Sequence, residues 1–241
     1  TPDRWYDEEG TDNLREYFGK TVYILGLPEA IEKGFLTPYY YYPTLVELTD
    51  QEMVEYSDLS SKIGSLMAQK NRSVSAQEAL ERLLIKRAQI LNAAENKLEE
   101  ISQLVDKQNK MMHTLFYCAP GGQIDEVVKL LGWEKRLKVH RFTAEEDTST
   151  RQQLLENFDN GKLQALVAIR CLDEGVDVPS TRIAYILASS SNPREFIQRR
   201  GRILRKSPGK EAAIIYDLIA VPPLRDISSE ISLNAERSLL R

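Results

Sequence analysis

After Lys110 the chain alternates, with little spacing, between short apolar runs suited to strands and longer segments of helical periodicity. The alternation predicts strands at His113 to Cys118, Leu137 to Phe142, Leu163 to Ile169, Ile183 to Leu187 and Ala212 to Tyr216. Helices are predicted at Gly121 to Leu131, Asp147 to Phe158 and Pro193 to Leu204. Strands joined through helices pair in parallel, because only a long crossover returns the chain to the same end of the sheet. The expectation is an α/β fold: a mostly parallel sheet with helices on both faces. In open sheets of this kind ligands collect at loops beyond the carboxyl ends of strands, here the stretches after Cys118, Phe142, Ile169 and Leu187.

The first half reads differently. Residues 1–48 look like a connector: a charged opening through Glu9, a short apolar run at Val22 to Leu25, a helical turn at Pro28 to Lys33, and the β-prone Tyr39 to Leu48. Residues 49–110 are rich in helix formers, broken near Asn71 to Ser75, with Leu84, Leu91, Ala94, Leu98, Ile101 and Val105 at roughly heptad spacing. That spacing predicts an N-terminal helical insertion, a pair or hairpin whose stripe packs on the domain or on a neighbour. Residues 111–241 are then the α/β unit itself.

With 42% apolar and 28% charged residues the chain can bury a sizeable core. No apolar run approaches the ~20 residues that span a bilayer, and the opening Thr1 and Pro2 carry no secretory h-region, so an intracellular, cytoplasmic chain without membrane contact is expected, nuclear if eukaryotic. Cys118 and Cys171 each end an apolar run without spaced partners, which predicts buried thiols and no metal site. The net charge of −4 argues against binding nucleic acid over the whole surface. One element departs from that balance: Arg194, Arg199, Arg200, Arg202, Arg205, Lys206 and Lys210 are opposed within it only by Glu195.

Asn192, Pro193 and Glu195 form a credible helix start, a cap acceptor, a proline at the first turn and a carboxylate three residues in. At 3.6 residues per turn, Gln198, Arg202 and Arg205 then share one face, and Ile197, Gly201 and Leu204 another. Two guanidinium forks a turn apart suit a polyphosphate. Gly201 in the helix interior costs about 0.5 to 1 kcal/mol against Ala, which predicts close approach of another backbone.

The loop after Leu166 to Ile169 holds Gly175, which lets backbone N–H groups approach a ligand, and Asp177, which can accept from a ribose hydroxyl or orient an arginine. Asp173 and Glu174 imitate a magnesium-binding pair, but no Gly, four residues, Gly, Lys, Ser/Thr loop accompanies them. Phosphate-reaching arginines without a phosphate cradle suggest half of a composite ATP site.

Gln198 to Arg205 resembles helicase motif VI, Cys171 to Pro179 resembles motif V, and His113 to Pro120 is similar to motif IV, with Arg151 and Phe158 on the intervening helix. Together these resemble the C-terminal, second RecA-like domain of superfamily 2 helicases, of the branch with XPB-like repair helicases and restriction-enzyme helicase subunits. Thr1 and Pro2 look like the tail of motif III, which would start the chain just after a first motor domain. The resemblance implies a RecA-like fold and ATP-dependent movement along nucleic acid, DNA rather than RNA, with ATP and Mg held mainly by that first domain in cis. It further implies Arg202 and Arg205 as arginine fingers, Gln198 as a site-organising residue, and Gly175 with Asp177 as the nucleotide contact. Thr143, Arg170, Cys171 and Arg199 would touch nucleic acid. The chain departs from the pattern at Ile169, where many relatives carry Thr, and at Ala144, where Gly is frequent. A non-catalytic module that binds nucleic acid through the basic element is the competing reading.

Overall fold

The computed structural model describes residues 7–69, 73–169, 178–189 and 193–223, with only the backbone for residues 193–196. Six strands form one sheet: β1 (Tyr39–Glu47), β2 (Thr114–Tyr117), β3 (Val139–Phe142), β4 (Ala165–Ala168), β5 (Ile183–Ile186) and β6 (Ala213–Val221). Their order is β1-β6-β5-β2-β4-β3, and every pairing is parallel. The expected mostly parallel, helix-covered sheet is therefore present, and among the described residues none of its strands is antiparallel.

Period-two alternation sorts the strand residues onto two apolar faces. Phe116, Cys118, Ala165, Val167, Tyr185, Leu187 and Leu218 face helices α5 (Asn96–Asp106) and α6 (Gln123–Lys129), through Ile101, Val105, Ile124 and Val127. On the opposite face Leu115, Tyr117, Leu166 and Ala168 meet Leu154 and Phe158 of α7 (Thr148–Asp159). There too, Ala184, Ile186, Ala213 and Ile215 meet Ile203 of α8 (Pro193–Ile203), and Leu27 of the short α2 (Leu27–Glu32) packs beside them. Strands buried on both faces read as continuous apolar runs, which is why Leu166 to Ile169 lacks alternation in the sequence.

An in-register row of rings crosses four strands. Phe116, Tyr185 and Tyr216 stack at 4.7 and 4.9 Å, and Tyr216 and Tyr42 at 5.3 Å. These are directly paired positions, so the stack fixes register as well as filling volume.

The sheet takes β1 from the stretch read as a connector, pairing over nine residues from Tyr39 with Ala213 to Glu47 with Val221. Before it, α1 (Glu8–Phe18) starts at Asp7, whose carboxylate accepts from Gly10 N–H. The first two residues, likened to a motif tail, lie outside the described residues.

The helical insertion is three helices rather than a pair. α3 (Asp50–Met67) and α4 (Val74–Asn92) form a hairpin, with Arg87 reaching back to Tyr56 and the Ser60 hydroxyl. α3 ends at Met67 and α4 starts at Val74, so the first break lies between them, and a second one at Ala93 to Glu95 divides the apolar stripe. Leu84, in the first part, is 37% exposed, whereas Ala94, Ile101 and Val105 are buried in the domain core. Neither Pro nor Gly marks this second break. Tertiary hydrogen bonds hold it open: Gln123 donates to the Asn92 carbonyl (3.0 Å), Glu95 N–H to Glu52 (2.9 Å) and the Asn96 amide to the Glu47 carbonyl (2.8 Å). Glu52 also closes a capping box with Thr49, so one carboxylate fastens both roots of the hairpin.

Candidate composite nucleotide site

From the central β2 the chain steps out to edge strand β3, returns to β4, then crosses β2 to reach β5 and β6. The direction of winding thus reverses around β2, and the carboxyl ends of β2, β4 and β5 make the crevice where such sheets bind ligands. Helix α8 starts from this mouth, directly after β5, and runs back along the sheet.

Its residues divide by role. Arg199 is only 6% exposed; its guanidinium lies 4.1 Å over the Tyr117 ring and donates to the Ala188 carbonyl at 3.0 Å. It joins the helix to the ends of β2 and β5. Arg200 lies 4.2 Å over Tyr41 and 5.7 Å over Tyr39, both on β1. Tyr41 donates to the buried Asp217 (2.8 Å), whose other oxygen accepts from Ser189 (2.9 Å). Burial, seconded by the Asp217 charge, pushes the Tyr41 phenol up to about 12. Lys210 is buried as well, and its ammonium donates to the carbonyls of Pro179, Ile203 and Arg205. This satisfies acceptors that a helix end leaves open. Arg199, Arg200 and Lys210 are thus committed to holding α8.

Gln198 and Arg202 are half-buried and Arg205 is exposed. The helix begins at Pro193 as expected, but it ends at Ile203, and Arg205 makes an antiparallel bridge with Leu36. Arg205 is therefore placed by that bridge and not by helical spacing from Gln198 and Arg202. The exit is enforced from outside, because Thr37 N–H donates to the Leu204 carbonyl at 2.7 Å. Gly201 also differs from expectation: among the described residues no heavy atom lies within 4 Å of an added Cβ, so no backbone of this chain is shown to require the glycine.

At the mouth, Lys97 of α5 is buried and donates to the Leu187 carbonyl at the end of β5 and to Asn92. Burial holds its ammonium down to about 8, against the opposing charges of Asp217 and Glu52. Gln123 accepts from Ala119 N–H at 2.7 Å, fixing the turn after β2. Cys118 is a buried free thiol whose ionisation burial pushes far up.

Thr143 follows β3, buried, and its groups are occupied locally. Its hydroxyl and N–H donate to Glu146 (2.9 and 2.6 Å), and its carbonyl accepts from Arg151 (2.9 Å). Arg170, Cys171, Gly175 and Asp177, read as nucleic-acid and nucleotide contacts, lie outside the described residues, as does Asn192.

Tyr39, Tyr41, Tyr117, Asp217 and Lys97 were not among the residues expected at the site. Two carried a signal. Lys97 interrupts the apolar face that Ile101 and Val105 continue at four-residue steps, and Asp217 interrupts an apolar strand. A charge in such a position is buried only if partnered.

Arg202, half-buried on the braced helix, and Arg205, exposed just past its end, are donors of the kind a polyphosphate takes. Among the described residues no group of three or more His, Cys, Asp or Glu side chains is assembled, and no helix is long and apolar enough to cross a membrane.

Residues 96–207 match the family of the helicase conserved C-terminal domain. The DNA 3'-5' translocase XPB2 of Sulfurisphaera tokodaii is 26% identical over 238 residues, covering 89% of this chain and 50% of that protein. The chain thus spans about half the length of that relative. Among solved structures, the Sulfolobus solfataricus SWI2/SNF2 ATPase core in complex with dsDNA superposes with a TM-score of 0.61 at 15% identity, over 83% of this chain and 45% of that one. The C-terminal domain of the Sulfolobus solfataricus SWI2/SNF2 ATPase gives 0.57 at 11% identity, over 83% and 86%. At these identities the superpositions establish the fold.

Proposed function

We infer function from family: the chain belongs to the superfamily 2 helicase C-terminal domains, through residues 96–207, and we propose that it is the second motor domain of an ATP-dependent DNA helicase or translocase. ATP and magnesium would be held mainly by a first RecA-like domain, and bound ATP supplies the phosphoryl group whose transfer drives movement. Arg202 and Arg205 would bring positive charge to its phosphates, Gln198 would help organise the site, and Gly175 with Asp177 would serve the nucleotide side of the interface. DNA is favoured over RNA because the XPB2 relative is named a DNA translocase and a structural neighbour is in complex with dsDNA.

The observation that carries this reading is the division of labour along α8. Arg199, Arg200 and Lys210 tie the helix to β1, β2 and the end of β5, while Arg202 on the same helix is half-buried and Arg205, just past its end, is exposed. A cation held rigidly before the reaction needs no reorganisation when charge develops, the condition for stabilising a transition state. Arginines delivered in this way can be worth about 10³ to 10⁵ in rate.

The test joins this chain to its first motor domain and measures nucleic-acid-stimulated ATPase. Arg202→Ala and Arg205→Ala should each lower the turnover number by at least about 100-fold while nucleotide binding changes much less. If both instead weaken DNA binding and leave turnover intact, the basic element is a phosphate-backbone clamp and the binding-module reading replaces the motor.

A further inference from the structure

At the amino ends of β3 and β4, the opposite end of the sheet from the crevice, lies an open groove of about 500 Å³. Its walls are Val128, Leu137, Val139, Leu163 and the indole of Trp133, which is 83% exposed. An exposed indole at a lined recess is an anomaly for a surface, since the largest apolar side chain is left in water beside apolar walls. Its position has a structural cause. The last turn of α6 widens into a π-turn (Leu130–Glu134), a form of helix that recurs at functional sites. Gly132 keeps this turn close to the strand: a Cβ there would lie 3.3 Å from a Val139 methyl.

The exposed cations nearest the groove in sequence are more numerous than the anions, although the chain is net acidic. Lys138 lines the groove, and the exposed Lys129, Arg136 and Lys162 each adjoin a wall residue in sequence, with Glu134 opposing them. Lys135 is already paired with Asp106 at 2.6 Å. Strand addition along β3 is obstructed past Val139, where the His140 ring bonds the Arg141 carbonyl and Arg141 pairs with Asp125. A partner would therefore be held by a side chain in the recess and by charge at its rim.

We propose that this groove binds an acidic peptide segment of another protein, one bulky apolar side chain entering the recess against Trp133 and flanking carboxylates meeting Lys129, Arg136, Lys138 and Lys162. Single-stranded nucleic acid is the other anion that exposed Trp and Lys suggest. It stacks bases on open ring faces along a continuous basic track, whereas here Val128, Leu137, Val139 and Leu163 set aliphatic walls beside the one indole, surfaces that take an apolar side chain.

Selection of random dodecapeptides against this chain, with counter-selection on the Trp133→Ala variant, tests the proposal. Net-acidic peptides with a Trp, Phe, Leu or Met should be enriched. A synthetic peptide of the enriched sequence should bind at least about tenfold more weakly to Trp133→Ala and to the Lys138→Glu/Lys162→Glu double variant, the loss typical of a central anchor. Both variants should melt like the parent, because these side chains are exposed. No enrichment over counter-selection, enrichment without acidic bias, or affinity unchanged in both variants would overturn the proposal. So would tight binding of an oligothymidylate that Trp133→Ala abolishes, which would assign the groove to nucleic acid.

Discussion

At the residue scale the domain hides charge in order to position charge. Lys97 is the clearest case: its buried ammonium, held down to about 8 from 10.5, means the folded state releases a proton that the unfolded chain keeps. Between those two values the unfolded state binds more protons, so this residue makes stability rise with pH, and below about 8 its charged form imposes its full burial penalty. Chemical denaturation at pH 7.5 and pH 10 should show a pH-dependent gain in the parent that exceeds that of Lys97→Met by about 1 to 3 kcal/mol. Equal pH responses would place the ammonium in water. Arg199 makes a second case. Its burial over Tyr117 predicts that Arg199→Ala destabilises the domain by about 2 to 4 kcal/mol, through lost packing and an unsatisfied Ala188 carbonyl. The sequence-based expectation of a nucleic-acid contact predicts instead a reduced salt slope with stability intact.

At the scale of elements, α5 matters more than the hairpin that precedes it. Ile101 is fully buried against the sheet and Leu98 packs at its margin, whereas Leu84 of α4 is 37% exposed. Ile101→Ala should cost about 2 to 4 kcal/mol, and Leu84→Ala under about 1 kcal/mol, since only the first leaves a cavity. Leu98→Asp should destabilise by a few kcal/mol as well, because the carboxylate loses water without gaining a partner. Similar losses at Ile101 and Leu84 in urea titrations would restore one continuous packed stripe. The same reasoning explains α8, a helix held along its carboxyl half by residues outside it: Tyr41 with Asp217 act through Arg200, and Thr37 with Lys210 terminate it.

For the whole molecule, the parallel sheet and its two apolar faces make a self-supporting unit, while the proposed chemistry needs a second surface. The chain alone should therefore unfold cooperatively on heating yet show no ATP turnover above background, with or without DNA. Sustained, DNA-stimulated hydrolysis by a clean preparation would mean that the phosphates are held within this chain and would end the composite-site reading.

The sequence by itself determined the fold class and most strands, because residues buried on both faces of a parallel sheet must be apolar and the helices between them must be amphipathic. It also marked the cationic helix, since Pro193 and the Arg spacing are local signals. Tertiary structure alone decided how far each of those cations is buried: Arg199 and Arg202 are the same residue type three positions apart, yet Arg199 is buried over Tyr117 and on the Ala188 carbonyl while Arg202 is half-buried. It likewise joined β1 to β6 across 174 positions of sequence, from Tyr39 to Ala213, and broke the helix at Ala93 to Glu95 without a breaker residue. Pairing over such a separation depends on surfaces that exist only once the intervening chain has packed, and at Ala93 to Glu95 distant partners satisfy the backbone groups that the helix leaves open.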